Sequence, residues 1–303
     1  MTADPLTPLS HLGLIHVSGR DAEAFLQGQL TCDMKKLTEK LSSPAAYCSP
    51  KGRAIGSFQV IKRKSNDFFL TLSIELVEKV AKRLKMFVMR SDVSIDNVTA
   101  TYSILGLTIQ NKENIKLPRN LSVPREEENS SSNDSSITVR VSENPTRFMI
   151  IYEDHKEEQN GLAYDSNSWI LQDIKSGLPL ITQATSEEYI PQMFNLDLLG
   201  GISFKKGCYS GQEIIARMHY LGKLKQRTFL VTTQSKELPE PNTAIFNGEK
   251  KVGSVLLSAR DKDNSVKMLI VMQISHEKTA LNIENNMGSA IIFRDLPYTF
   301  DRE

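Results

Sequence analysis

From Arg227 onward the apolar residues fall into short runs, Thr228 to Thr233, Thr243 to Phe246, Val252 to Ser258, Val266 to Gln273 and Ser289 to Phe293, with turn residues between them. Short strands at that spacing predict a small all-β barrel. Ahead of Arg227 the texture is different. Leu14 to Val17 reads as a strand and Asp21 to Leu30 as a helix with Phe25, Leu26 and Leu30 inward. Ala46 to Cys48 and Ile55 to Lys62 read as strands joined by the turn Ser49-Pro50-Lys51-Gly52. Phe68 to Leu72 is a further strand, and Ser73 is placed to cap a long helix carrying Ile74, Val77, Val80, Ala81, Leu84 and Val88 at helical spacing. Strands and helices alternating in this way predict an α+β unit of the ferredoxin-like kind.

Between these textures, Asn111 to Ser136 holds two prolines, mixed charge and the run ENSSSNDSS, and reads as a mobile surface loop with no core of its own. Arg147 to Tyr152 is a strand, and Ser168 to Ser176 a short helix that Gly177 and Pro179 terminate. With 303 residues and a formal net charge of +1, the chain has room for two or three domains and no global case for binding nucleic acid. No apolar run approaches the roughly 20 residues needed to span a bilayer. The first residues hold Asp4 and two prolines where a signal peptide would need basic residues and an apolar stretch, so a cytoplasmic location is expected. Cys32, Cys48 and Cys208 are widely separated and form no C-x-x-C pair, which fits a reducing compartment and no self-contained metal site.

The run KKGCYSGQEIIAR, Lys205 to Arg217, carries the sharpest chemistry. Ser210 and Glu213 have capping-box spacing, and Ile214, Ile215 and Met218 begin a helical pattern. Cys208 then lies just before a helix start, where free N–H groups and the dipole favour an anion and a thiol ionises more readily. The ordinary role of a free cysteine is a small buried hydrophobe; Gly207 before it and the cap after it argue for an exposed loop. Lys206, with Lys205, raises the local potential or is simply solvated. Gly207 and Gly211 serve backbone geometry. Arg217, Lys223, Lys225 and Arg227 face only Glu213, which suits a phosphate or a polyglutamate tail, or an ordinary solvated face. Trp169, the single tryptophan, is a core anchor or a platform for a flat heterocycle.

The run KGCYSGQE, Lys206, Gly207, Cys208, Tyr209, Ser210, Gly211, Gln212 and Glu213, together with GRDAEAFLQGQLTCD, AYCSPKGR, IPQMFNLDLLGGISFKKGCY and DLPYTF, resembles the YgfZ family, folate-binding relatives of the glycine-cleavage T-protein. The resemblance spans nearly the whole chain outside the Asn111 to Ser136 loop. It implies an α+β, T-protein-like fold: a ring of three subdomains, two of them ferredoxin-like, with a C-terminal small β-barrel. The T-protein-like folate-binding region would be 1–226, with the mobile loop at 111–136, and the barrel 227–303. The implied function is that of an accessory protein in iron–sulfur cluster assembly or repair, indirectly supporting tRNA modification. Its implied cofactor is tetrahydrofolate or a derivative, and its partners are iron–sulfur enzymes or assembly factors. Cys208 is the implied reactive thiol and Trp169 the pterin platform.

Three departures bear on activity. The T-protein's aspartate position falls on Gly56 and Ser57, which argues against aminomethyl transfer and against a classical enzyme. An acidic residue of the folate pocket corresponds to Lys175, and a second pocket tryptophan to Leu12. The alternative is a folate-dependent one-carbon transferase or demethylase. Direct tRNA binding is not expected, for want of an aromatic-rich basic patch.

Overall fold

The computed structural model describes residues 6–109, 123–125, 127–133, 136–153, 166–277, 279–284 and 290–300. In chain order the elements are β1 (Thr7–Pro8), β2 (Leu12–Ser18), α1 (Ala22–Gln27), β3 (Ser43–Cys48), β4 (Ala54–Lys64), β5 (Asp67–Ser73), α2 (Val77–Lys85), β6 (Ser94–Asn97) and β7 (Tyr102–Ile109). They continue with β8 (Ser130–Ser132), β9 (Ser136–Glu143), β10 (Thr146–Glu153), α3 (Ser166–Lys175) and α4 (Gln212–Tyr220). The last strands are β11 (Gln226–Thr233), β12 (Ala244–Asn247), β13 (Lys250–Arg260), β14 (Val266–Gln273), β15 (Asn282–Ile283) and β16 (Ile292–Arg294).

The first sheet has the order β3-β4-β5-β2-β6. Apart from β3, which stands between α1 and β4, its elements β2, α1, β4, β5, α2 and β6 keep the βαββαβ succession expected of a ferredoxin-like unit. β5 is flanked on both sides and buried along its whole length, which is why its sequence is a continuous FFLTL run with no alternation. The boundaries of α1 and α2 differ from the sequence pattern, and α2 ends at Lys85, ahead of Val88. α1 stops at Gln27 because the residues after it turn strand-like: Leu30 bridges Tyr47, and the Thr31 amide donates to the Ala46 carbonyl at 3.0 Å. Ser73 does not cap α2; it ends β5 opposite Leu12, and a 3-10 turn, Ile74–Leu76, intervenes.

The second sheet, β1-β7-β10-β9-β8, is antiparallel throughout. Leu105, Leu107 and Ile109 of β7 meet Phe148 and Ile150 of β10 in one cluster, the period-two signature of a sheet buried on one face. Much of the loop expected at 111–136 lies outside the described residues, but its described end is ordered structure. Ser130–Ser132 is β8, with Ser131 opposite Thr138, and the Asn129 side chain accepts from the Ser42 amide at 2.7 Å. A run of serines carries little strand signal, and tertiary pairing overrides it.

The third sheet, β15-β12-β13-β14-β11-β16, is also antiparallel. Its core gathers Phe229 and Val231, Val252 and Val255, and Met268, Ile270 and Met272 from three adjacent strands. Contacts divide the chain into two compact units. The first is Met1–Gln29, Asp33–Pro44 and Phe58–Ser166; the second is Leu30–Cys32, Ala45–Ser57 and Asn167–Glu303. The second unit therefore combines the third sheet with α3 and α4, so the change of texture at 226/227 is not where the two units part. No helix among the described residues is long and apolar enough to cross a membrane.

Ile270 is fully buried in the third-sheet cluster. Ile270→Ala should cost about 2–5 kcal/mol of unfolding free energy, read as a lower urea midpoint at unchanged slope.

Candidate functional site

The signature run lies in the second unit and is held by two stretches from far upstream. The first is residues 30–32. Thr31 is wholly buried; its hydroxyl donates to the Gly201 carbonyl at 2.6 Å and accepts from the Ala46 amide at 2.8 Å, while its carbonyl accepts from the Ser203 amide at 2.9 Å. Lys206 reaches back to the same stretch. Its ammonium donates to the carbonyls of Leu30 at 2.7 Å and Cys32 at 2.8 Å, and lies 5.0 Å from the centre of the Tyr209 ring. Expected as a positive charge beside the thiol, Lys206 acts here as a cross-tie on the loop.

The second stretch is the turn 49–53. The Gly52 amide donates to the Ser49 carbonyl and the Ser49 amide to the Arg53 carbonyl, both at 2.8 Å. Gly211 presses against this turn with φ +80°; a Cβ built there stands 2.5 Å from the Ser49 carbonyl oxygen and 2.8 Å from the Gly52 Cα. Gly52, with φ +72°, would place a Cβ 2.9 Å from the Ile214 Cβ. Two main chains touch here, and only glycine supplies both the left-handed conformation and the clearance. Arg53 anchors the far side of the turn by donating to the carbonyls of Glu188 and Glu187.

This contact decides how α4 begins. The capping residue is Gly211, with no side-chain cap, and neither Ser210 nor Glu213 forms the expected capping box. Gln212 closes the turn instead: its amide donates to the Tyr209 carbonyl at 3.1 Å, and its side-chain oxygen accepts from the Tyr209 amide at 3.3 Å. Glu213 is exposed and makes no hydrogen bond or ion pair among the described residues; in the first turn its charge complements the helix dipole. Gly207 stands in open space, and nothing in the structure requires a glycine there.

The three thiols divide sharply. Cys208 is exposed, Cys32 and Cys48 are buried, and none is in a disulfide. Burial pushes the Cys48 thiol far above its ordinary range. Tyr209 turns inward next to Cys208; burial, and secondarily Cys48, raise its phenol, whose oxygen has no hydrogen-bond partner among the described residues. Among the described residues no group of three His, Cys, Asp or Glu side chains gathers to hold a metal ion.

Trp169 lies on α3, buried at 5% exposure. Gly177 follows the helix with φ +67°, and the Tyr298 hydroxyl donates to its carbonyl at 2.6 Å, fixing the end of α3. Lys175, in the last turn, is paired. Its ammonium is 2.8 Å from a carboxylate oxygen of Asp261, and Lys267 lies 4.0 Å from the same atom. The hydrogen bond from Lys175 holds the Asp261 carboxyl below its usual range. Asn167 seats α3 on the same turn by accepting from the Arg260 amide at 2.9 Å and donating to its carbonyl at 2.9 Å. Asp261 was missed in the sequence, where it reads as one more residue of a polar D-K-D-N hairpin turn. Gly56 and Ser57 are buried, and the Ser57 hydroxyl accepts from the Ile181 amide at 2.9 Å. Leu12 opens β2, half-buried, in the first unit. Arg227 leaves the expected basic run, since its guanidinium is bidentate to Asp197 at 2.7 and 3.0 Å. A cavity of about 520 Å³ lies by Phe229, Phe293, Leu296, Tyr298 and Phe300, and no signature residue lines it.

A mixed α/β chain of three antiparallel sheets, with an exposed thiol at a glycine-bound loop, is T-protein-like in class. Residues 5–108 match the GCVT N-terminal domain. The fold is similar to the glycine cleavage system aminomethyltransferase T from Bartonella henselae, with a TM-score of 0.76 over 97% of this chain and 86% of that one at 14% identity. In sequence the chain is 31% identical to the tRNA-modifying protein YgfZ of Colwellia psychrerythraea, over 98% of this chain and 94% of that protein. It is 29% identical to the protein of the same name from Escherichia coli O157:H7, again over 98% and 94%. The chain belongs to the YgfZ family.

Two outcomes test this site. Iodoacetamide should label Cys208 alone in the folded protein, with Cys32 and Cys48 labelled only in denaturant, as read by peptide mass spectrometry. Gly211→Ala should cost at least about 1–2 kcal/mol from the left-handed conformation alone, and Gly207→Ala nearly nothing, in parallel urea titrations.

Proposed function

We propose that this protein is a folate-binding accessory factor in iron–sulfur cluster assembly or repair, serving iron–sulfur enzymes or their assembly proteins, and through them tRNA modification. The observation that carries the reading is the treatment of Cys208. Two upstream segments hold its loop rigidly while the thiol itself stays in solvent, and the other two cysteines are buried. A packing cysteine needs no such frame. As an accessible thiol it serves as nucleophile, redox group or transient cluster ligand.

The residues present fit a reduced pterin in their chemistry. Trp169 is a flat aromatic ring of the kind a pterin stacks on, and it is 5% exposed. Lys175 cannot accept hydrogen bonds from pterin N–H groups, but the carboxylate of Asp261 beside it can. When bound, the folate supplies a one-carbon carrier or a reporter of one-carbon status. Gly56 and Ser57 bring no carboxylate to the position where the T-protein carries its aspartate, which supports a non-enzymatic role over the one-carbon transferase alternative. The reading also takes the T-protein-like part as 1–226, two α+β subdomains of a three-part ring, with 227–303 as its β-barrel, acting in the cytoplasm.

Cys208→Ala should fold normally yet fail to restore iron–sulfur enzyme activity in an Escherichia coli strain lacking its own relative; full restoration would reduce Cys208 to a packing residue. Trp169 emission should fall on titration with tetrahydrofolate, and Asp261→Asn should weaken that binding about tenfold or more. An unchanged signal together with no heat in calorimetry sinks the folate claim.

A further inference from the structure

The far end of α4 carries a surface that the Cys208 loop does not use. Phe204, in the loop before the helix, and His219, in its last turn, stack face to face, centroids 3.7 Å apart and planes 11° from parallel. Tyr220 meets both rings edge-on, at 6.2 Å and 4.7 Å. Beside this trio Tyr220 is 63% exposed and Leu221 84% exposed. Lys205 follows Phe204, Arg217 lies one turn before Leu221, and Lys223 and Lys225 come directly after the helix. All four cations are exposed, and none is in an ion pair among the described residues. The aromatic-rich basic patch not expected from the sequence is therefore assembled by the fold, from a loop residue and a helix end.

Helix capping does not account for it. Arg217 complements the C-terminal dipole, but Lys223 and Lys225 lie past the last turn, where that effect has faded. In a chain of net charge +1, four unpaired cations around two exposed large side chains form a patch of one sign. Aromatic rings with arginine and lysine suit both nucleic acid and protein. Leu221 decides between them: an aliphatic side chain left in solvent has no face on which a base can stack, and is an ordinary anchor in the core of a protein interface.

We propose that the C-terminal end of α4 is a docking site for an acidic, apolar-anchored face of a partner protein. Tyr220 and Leu221 enter the partner's apolar patch, and the four cations pair with carboxylates at its rim. α4 rises about 12 Å from Gln212 to Tyr220, so a partner held at one end of the helix reaches the Cys208 loop at the other. The link to Cys208 rests on the accessory-factor reading above; the docking itself does not.

The test replaces Tyr220 in the full chain with the photo-crosslinker p-benzoylphenylalanine and irradiates Escherichia coli cells lacking their own relative. The expected result is an adduct with a protein, mapped by mass spectrometry to an Asp/Glu-rich segment, that falls about tenfold or more in the Lys223→Glu, Lys225→Glu double variant. An adduct removed by ribonuclease overturns the proposal in favour of RNA. No adduct, an adduct unaffected by charge reversal or mapped to a non-acidic segment, or the same adduct from a crosslinker at exposed Met86 overturns it outright. Crosslinking that persists while Cys208→Ala restores full activity keeps the docking site and removes the thiol's role, so the two readings fail separately.

Discussion

The Cys208 loop depends on one contact between two stretches of backbone. Gly211 lies against the turn 49–53 so closely that a single extra carbon would overlap the Ser49 carbonyl oxygen. Because Gly211 is in the left-handed conformation to make that approach, α4 starts at Gln212, Tyr209 turns inward and Cys208 is left outside. Lys206 and Thr31 add the second restraint, tying the loop to residues 30–32 through main-chain carbonyls. The frame consists of close backbone contacts, the buried hydrogen bonds of Thr31 and the Lys206 ammonium on two main-chain carbonyls, with no pair of opposite ions in it. The thiol is thus positioned without a surface ion pair, the kind of contact that salt screens most.

How much of this could be read from sequence follows from the range of the forces involved. Local periodicity located β2, β4, β5, β10 and, in the third sheet, β11, β12, β13, β14 and β16 but not the two-residue β15, because alternation and apolar runs report burial residue by residue. It failed where distant partners intervene. α1 ends early because Leu30 and Thr31 are taken by Tyr47 and Ala46. β8 is three serines held extended by partners distant in sequence, the neighbouring β9 and the Lys40 carbonyl that accepts from the Ser130 amide. The capping box at Ser210 and Glu213 was a sound local pattern, displaced because Gly211 answers to the turn 49–53. Cys208 itself was legible as exposed, since a glycine-flanked cysteine before a helix start is a local feature. Asp261 and the ring stack of Phe204 on His219 were not, because each joins residues from separate parts of the chain.

The pair Lys175–Asp261 changes the meaning of a single-position comparison. Judged alone, Lys175 puts a positive charge at the end of α3. Judged with its partner 2.8 Å away, the local inventory still contains a carboxylate, offered from the β13–β14 turn rather than from the helix. The seat of α3 on that turn, through Asn167 and the Arg260 backbone, keeps Asp261 in a fixed relation to the helix.

The tie from Lys206 to Leu30 and Cys32 spans 176 and 174 positions of chain. Its consequence is one of timing during synthesis. Residues 30–32 and 49–53 leave the ribosome long before Lys206 and Gly211 exist to receive them, and contacts of such separation form late in folding. The presentable thiol is therefore among the last features the growing chain acquires, and a truncated product ending before Lys206 lacks it altogether.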